Sequence, residues 1–530
     1  MTSLSRVPFG LDWRRLAPAL AAVAVAIAYL IIRPRTGDLA AHVYRVELFE
    51  RDGFAIWNGA WYAGHHAIAY SVLFPPLAWL LGPLPLGALS AVVSAVLFER
   101  IARAQWGENA VWGALWFGLA TGTLLITGRL PFALGVALAL AALLALERRH
   151  GAAGYALAVV CSLTSPVAAL FLAMAGLVDF LAGERRRGTL LAVASFAPAA
   201  LVTFVFPEGG HQPIGFAEFW PLPVLMAACL VFLPRAERRL RIGAVVYALA
   251  GLAAYLLPTP MGSNALRLGE LLGGVLLLCA VAGRWPAGRV RRVALGALLV
   301  ALAAWQLSPP VRAAEELGDP SSRTSYYQPL LTQLDRRVKQ PTRIEIPFTR
   351  GHWEAAEVAP RYALARGWER QLDLTRNGLF YGGALNARTY GAWLSEHGVG
   401  WVAVASAKPD WAGAGERALV EAGLPYLKLR WRSSDWRLYE VTLAHPLVVP
   451  ERGAAIRPLR LGDSSVTLEV TRPGSALVRV QWSPYWRASG GACVERHGQW
   501  TRVLAKRPGR LRVAIDFSAA RIVDHGRRCG

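Results

Sequence analysis

Asp38, His42 and Arg45 stand at i, i+4 and i+7 in the sequence, a spacing that puts all three on one face of a helix. A carboxylate, an imidazole and a guanidinium on one face can move a proton, hold a divalent cation and bind a phosphate. Asp38 and His42 are the candidate catalytic residues, and Arg45 a candidate phosphate ligand. Each also has a plainer reading. Thr-Gly-Asp ahead of an apolar-periodic run is the pattern of a helix N-cap, and a lone histidine is more often a satisfied polar residue. Glu47 and Glu50 read as a solvated face, and Trp57, Trp61 and Tyr62 as an interfacial aromatic belt. His65-His66 is a weak metal signal, because adjacent side chains point apart.

Two later features add to this set. Gly128-Arg129 reads as a tight turn that leaves an arginine at a membrane surface, and Asn264, Arg267 and Glu270 begin an otherwise apolar segment. Polar groups on an apolar helix are costly and default to functional candidates, although Arg267 and Glu270 are spaced for an intrahelical ion pair. Arg45, Arg129, Asn264 and Arg267 are the candidate phosphate-binding residues. A divalent cation, Mg2+ or Mn2+, would take Asp38 as its hard oxygen ligand, with the substrate's phosphate completing the shell. The chain contains no CxxC, zinc spacing, P-loop, GxSxG, or GxGxxG in strand context, and no internal repeat is evident.

The elements that must position these residues are mostly apolar. Of 530 residues 54% are hydrophobic and 17% charged, against about 25% charged in soluble proteins; mean hydropathy is +0.34. A spanning helix needs about 20 apolar residues, or as few as about 17. Segments near that length fall at 16–33, 84–102, 110–127, 131–147, 153–166, 167–183, 189–206, 219–234, 242–258, 264–282 and 292–308, about eleven spans. Residues 67–81 are apolar but broken by Pro75-Pro76 and read as an interfacial or re-entrant helix. With the N-terminus inside, 18 arginines fall in inward loops and six in outward ones. That is the bias of the positive-inside rule, and it places the C-terminal half outside the plasma membrane. The formal net charge of +22 therefore reads as an orientation signal rather than a nucleic-acid footprint. Four of the 57 basic residues are lysines, so the arginine skew itself reads as genomic composition.

Three domains follow: a polytopic α-helical membrane domain at 1–309 with a long first outer loop at 34–66, an extracytoplasmic α/β domain at 310–443, and a small extracytoplasmic β-sandwich at 444–530. Residues 325–338 and 411–422 have helical spacing, 343–348 and 401–405 read as strands, and 426–441 as a hairpin. Beyond 446 only short strands appear, at 465–471, 475–482, 500–505 and 510–515. Cys161, Cys229 and Cys279 lie in or near spans, where they act as small hydrophobes. Cys493 and Cys529 are the only pair in the outer half, in a compartment that tolerates disulfides, and are expected to bond.

The many spans, the acid in a long first outer loop and the outer C-terminal domain resemble the GT-C superfamily of membrane glycosyltransferases. The GDLAAHVYR stretch, the Gly59–Tyr62 pattern and the GRLPFALG turn are similar to a bacterial family labelled 6-pyruvoyl-tetrahydropterin-synthase-related. The strands around LVRVQWSPYWRA resemble the terminal sandwich of large GT-C-like proteins. The resemblance implies inverting sugar transfer from a polyprenyl-phosphate donor to an envelope glycan, lipid or protein on the outer face of the membrane. By it Asp38 is the catalytic or metal-binding acid, with a divalent cation in many relatives. A second acid carried by many relatives has no counterpart in the turn at 127–131, which contains no Asp or Glu. The alternative is a non-catalytic membrane scaffold whose outer domain binds envelope glycan or partner proteins. A transporter ranks last, because the middle spans are mostly Ala, Leu and Val.

Overall fold

The computed structural model describes residues 13–523 and Cys529. Arg6, one of the arginines used for orientation, lies outside the described residues, as do 524–528 and 530 of the third predicted domain.

The first part is helical: α1 (Trp13–Ile32), α2 (Leu39–Asp52), α3 (Phe74–Leu81), α4 (Pro83–Trp106), α5 (Val111–Ile126), α6 (Leu130–Glu147), α7 (Gly151–Thr164), α8 (Pro166–Ala182), α9 (Arg185–Val205), α10 (Phe216–Phe219), α11 (Pro221–Phe232), α12 (Arg238–Leu256), α13 (Arg267–Val281) and α14 (Arg289–Ala314). The apolar segments become helices because a chain in hydrocarbon must satisfy its backbone polar groups within the segment. Among the described residues seven helical stretches are long and apolar enough to cross a membrane, the longest being Pro83–Ile126, which holds α4 and α5. Gly151–Thr164, Pro166–Ala182 and Phe216–Phe232 are apolar but shorter. All eleven predicted segments thus fall on helices; eight of them lie in the seven stretches that meet the length and composition of a span, and three on the shorter helices. Pro75 and Pro76 lie in the first turn of α3, where a missing N–H costs nothing. The boundary read at 309 falls inside α14, which runs on through Pro309 and Pro310 to Ala314.

A β-rich region follows. Helices α15 (Thr324–Arg337), α16 (Glu354–Glu357), α17 (Arg370–Arg376), α18 (Ala387–Glu396) and α19 (Trp411–Glu421) surround strands β1 (Arg343–Glu345), β2 (Val399–Ala405), β3 (Leu427–Arg432) and β4 (Trp436–Val441). The sheet order is β1-β2-β4-β3, with β1 parallel to β2 and the other pairs antiparallel. The seven residues of β2 are all buried, as a central strand covered on both faces requires. Strands β5 (Val448–Pro450), β6 (Ala455–Leu461), β7 (Ser465–Arg472), β8 (Gly474–Gln481), β9 (Trp486–Ala488), β10 (Cys493–His497), β11 (Trp500–Ala505) and β12 (Gly509–Ile515) form two four-stranded sheets, β10-β11-β8-β5 and β6-β7-β12-β9. Alternating inward residues such as Val466, Leu468, Val470, Val478, Val503 and Val513 fill the core between them. Cys493 and Cys529 are disulfide-bonded, with Cα atoms 5.4 Å apart; Cys161, Cys229 and Cys279 are free and buried.

The first loop, 34–66, is clamped into the β-rich region. Trp57 is 2%, Trp61 0% and Tyr62 2% exposed, which overturns the aromatic-belt reading. Trp61 and Tyr44 share one hydrophobic core with Tyr326, Tyr327, Trp353 and Trp436, while Trp57 enters the sandwich core. The Trp61 indole N–H donates to the Ala355 carbonyl at 3.2 Å, and Tyr62 donates its hydroxyl to the Gly367 carbonyl at 2.5 Å. Gly59 N–H reaches the Asp463 carbonyl at 2.6 Å. Buried aromatics with satisfied polar tips account for the loop's composition better than an interfacial belt does.

Candidate functional site

Two tight turns build the centre of the site. Residues 36–38 lie against residues 127–129, with Asp38 N–H donating to the Thr127 carbonyl at 3.2 Å and the Thr36 hydroxyl donating to the Ile126 carbonyl. Gly37 has φ +56°, and a Cβ there would collide with the Thr127 carbonyl; Gly128 has φ +68°, and its Cβ would meet Leu39 N at 2.6 Å and Thr36 O at 2.7 Å. Only glycine combines this backbone conformation with so close an approach. The 34–66 loop is thereby locked onto the α5–α6 turn.

Asp38 occupies the N-cap position of α2, yet its side chain makes no capping bond. The carboxylate turns instead to Arg267, with Nη2 3.3 Å from Oδ2. The Asp38 side chain keeps 32% of its surface exposed, against 8% for Arg267. The Asp38 oxygens are thus left to the guanidinium and to solvent, whereas a cap would spend one on a backbone amide. Arg267 does not pair with Glu270, its neighbour on α13. Glu270 faces Arg129 at 3.6 Å, so the expected intrahelical pair is replaced by two pairs between segments distant in sequence. Arg129, Arg267 and Glu270 line one small cavity with Thr123, Gln306 and Pro309. Asn264 lies before α13 in a 3₁₀ turn, Gly262–Leu266, and is not part of that lining.

His42 is 1% exposed, and neither ring nitrogen has a hydrogen-bond partner, so it is not the satisfied polar residue its isolation suggests. Its ring lies 5.5 Å from that of Tyr70 and 5.7 Å from Phe74. Burial, reinforced by the charges of Arg45 and Arg267, holds the imidazole well below its usual range and so keeps it neutral.

Arg45 parts from the other two arginines. Its guanidinium makes a buried ion pair with Glu369, lies 3.9 Å from the Tyr70 ring centre, and shares Glu369 with His65 Nε2 at 3.5 Å. Burial alone would raise the Glu369 carboxyl; Arg45 and His65 outweigh it and hold the group at about 2. Arg45 is thus neutralised by an acid far along the chain and borders a second cavity with Ser71 and Pro75, not the one lined by Arg129 and Arg267. His66 meets a different acid, Glu208, at 3.4 Å, so the two adjacent histidines do point apart.

One group that the sequence did not single out is Glu316, which follows α14. Its Oε2 accepts the Gly37 N–H at 2.7 Å, one residue before Asp38. Burial pushes the Glu316 carboxyl up to about 7 against that hydrogen bond, and the negative charges of Asp38 and Asp410 add to the rise while Arg350 opposes it. The only signal in the sequence is the acidic pair Glu315-Glu316 just past the last apolar segment.

Among the described residues no three His, Cys, Asp or Glu side chains are grouped to hold a metal ion, and the place beside Asp38 is taken by a guanidinium.

No protein-family model matches the chain, and no curated protein matches it. Among solved structures it is similar to the cryo-EM structure of the arabinofuranosyltransferase AftD from Mycobacteria, at 13% identity and a TM-score of 0.45, covering 98% of this chain and 58% of that one. A mutant structure of the same enzyme gives 15% identity and 0.45, with 98% and 60% covered. The chain thus spans about three fifths of the length of the structures it matches.

Proposed function

We propose that this chain is an integral membrane glycosyltransferase of GT-C type that transfers a sugar from a polyprenyl-phosphate donor to an envelope glycan, lipid or protein on the outer face of the membrane. The single observation that carries the reading is the Asp38–Arg267 pair. It is an uncapped, partly open carboxylate backed by a buried cation, and the cavity next to it holds a second arginine.

In this reading Asp38 takes the proton from an acceptor hydroxyl. The hydroxyl oxygen forms its bond to the anomeric carbon as the bond from that carbon to the phosphate oxygen breaks, with inversion. The electron pair leaves on polyprenyl phosphate, and Arg129 and Arg267 offset the charge. General base catalysis of this kind contributes about 10²–10⁴-fold, and a fixed donor to the developing oxyanion about 10²–10³-fold. Neutral His42 presents an unpaired nitrogen for a donor hydroxyl. A divalent cation, Mg2+ or Mn2+, would take Asp38 and the donor's phosphate oxygens as ligands and offset the charge of the leaving phosphate. The arginine distribution supports an inside N-terminus and an outside C-terminal region. A cysteine introduced at an exposed sandwich position and labelled by an impermeant reagent in intact cells checks that orientation.

The test is transfer from polyprenyl-phosphate sugars, arabinofuranose among them, by the wild type and Asp38→Asn reconstituted in nanodiscs. Asp38→Asn is expected to lose at least 10²-fold with unchanged insertion. Unchanged turnover in the variant removes Asp38 from the mechanism. A wild type that transfers no sugar and retains no polyprenyl phosphate, yet binds glycan, is the scaffold.

A further inference from the structure

Trp411 is the most exposed tryptophan in the described part of the outer region, at 69%. A large indole left in water is worth explaining when polar groups converge beside it. It opens α19 directly after Asp410, whose carboxylate accepts the Ala412 N–H at 2.8 Å and an Arg370 N–H at 3.0 Å. The Arg370 guanidinium lies 5.0 Å from the Trp411 ring centre and 5.2 Å from that of Trp368, and donates to the Tyr381 hydroxyl at 3.1 Å. Tyr381 stands edge-on to Trp411 at 5.6 Å. Behind this surface Trp368 stacks on His352, with ring centres 3.7 Å apart and planes 6° from parallel. The Trp368 indole N–H and His352 Nδ1 are both buried without a hydrogen-bond partner. His352 also holds φ +53°, a left-handed backbone that non-glycine residues seldom keep without a local reason.

We infer that Trp368, Arg370, Tyr381, Asp410 and Trp411 form a binding subsite for a saccharide, continuous with the Asp38 site and serving its acceptor. The chemistry is complementary on both counts. A sugar ring offers an apolar C–H face to an indole and vicinal hydroxyls to a fixed charged pair, and aromatic rings with polar tips suit such a half-wet ligand. Continuity with the catalytic centre runs through Glu316. Its Oε2 binds Gly37 beside Asp38, and it lies 3.6 Å from the position a Cβ would take on Gly351, next to His352. His352 Nε2 in turn is 3.6 Å from Asp410. An exposed tryptophan could instead anchor in lipid headgroups, and quenching by brominated lipid separates the two.

The role as acceptor subsite rests on the transferase reading; the binding itself does not. Isothermal titration of the full chain in nanodiscs with three probes, an arabino-oligosaccharide, a malto-oligosaccharide and a galacto-oligosaccharide, tests it. The wild type is expected to bind at least one. Trp411→Ala, at an exposed site that leaves the fold intact, is expected to weaken that binding about tenfold, with Arg370→Gln acting in the same direction. Binding within twofold of wild type in Trp411→Ala, or no wild-type binding to any probe, overturns the inference. Quenching of Trp411 by brominated lipid in the nanodisc makes it a membrane anchor and also overturns it. Saccharide binding lost in Trp411→Ala while the wild type transfers no sugar leaves the subsite standing and the transferase reading fallen. Transfer with an unchanged acceptor KM in Trp411→Ala means the reverse.

Discussion

Glu316 and Gly37 are joined by one hydrogen bond of 2.7 Å, across 279 positions of sequence. It ties the start of the outer region to the residue before Asp38. The first loop, the α5–α6 turn and the segment after the last apolar helix therefore hold Asp38 from three sides, and the proposed reactive geometry depends on all three.

The Glu316 carboxyl gives that junction a pH dependence. Its folded value of about 7 lies above the ordinary carboxyl value, so the folded state binds the proton more tightly than the unfolded state does. The associated stability is full below about pH 4.5 and is lost as pH rises through about 7. The groups facing Glu316 are the Gly37 N–H, Asp38, Asp410 and Arg350. Thermal unfolding of wild type compared with Glu316→Gln at pH 5.5 and pH 8 checks this: the wild type is expected to lose melting temperature relative to the variant at the higher pH. A constant difference between the two proteins would count against it.

Arg267 and Arg129 should behave as charge-stabilising groups rather than scaffold. Arg267→Gln is expected to lower kcat about 10²–10³-fold in a donor-saturation assay. Arg267→Lys should recover only part of the loss, because a point charge does not reproduce the guanidinium fork. Full recovery by lysine would show that charge alone suffices.

Arg45 is expected to act through stability. Both it and Glu369 are 6% exposed at the side chain, so Arg45→Met leaves a buried carboxylate without its partner. Removing one member of such a pair costs about 3–5 kcal/mol. Adding Glu369→Leu should return most of it, as a double-mutant cycle followed by thermal unfolding in detergent would reveal.

Gly37→Ala probes the lock between the two turns. A left-handed backbone costs a non-glycine residue about 1–2 kcal/mol, and the added methyl meets the Thr127 carbonyl. The variant is expected to melt lower and to lose more transfer activity than its residual folded fraction explains, because Asp38 moves with the turn. Activity that merely tracks the folded fraction would assign Gly37 to folding alone.

The Cys493–Cys529 bridge closes a separation of 36 residues, for which loop-closure entropy gives about 3–4 kcal/mol. Reduction should lower the unfolding temperature of the sandwich, while the buried Cys161, Cys229 and Cys279 resist alkylation until the helices unfold. Mass spectrometry of labelled thiols, with and without reductant, distinguishes the two sets.

How much was legible in advance follows from the range of the forces involved. The apolar segments at 131–147 and 189–206 become α6 and α9 because the cost of an unpaired backbone in hydrocarbon acts within each segment. Alternation along residues 465–471 and 510–515 likewise becomes β7 and β12, since which face is buried is written into neighbouring positions. The first outer loop stood out for the same reason, as a polar stretch of unusual length between apolar ones. Partner choice is not local. Spacing pairs Arg267 with Glu270, and residue type groups Arg45 with Arg129 and Arg267 as phosphate ligands, but the fold gives Arg267 to Asp38, 229 positions away, and Arg45 to Glu369, 324 positions away. Trp57 and Trp61 are belt residues by composition and core residues in space, because the surface that covers them is built by strands and turns from the outer region. By itself the sequence determined which segments are apolar, which alternate and where the chemistry-bearing loop lies. Only the tertiary structure decided which charges meet, because an ion pair is set by proximity in space and by what is desolvated around it.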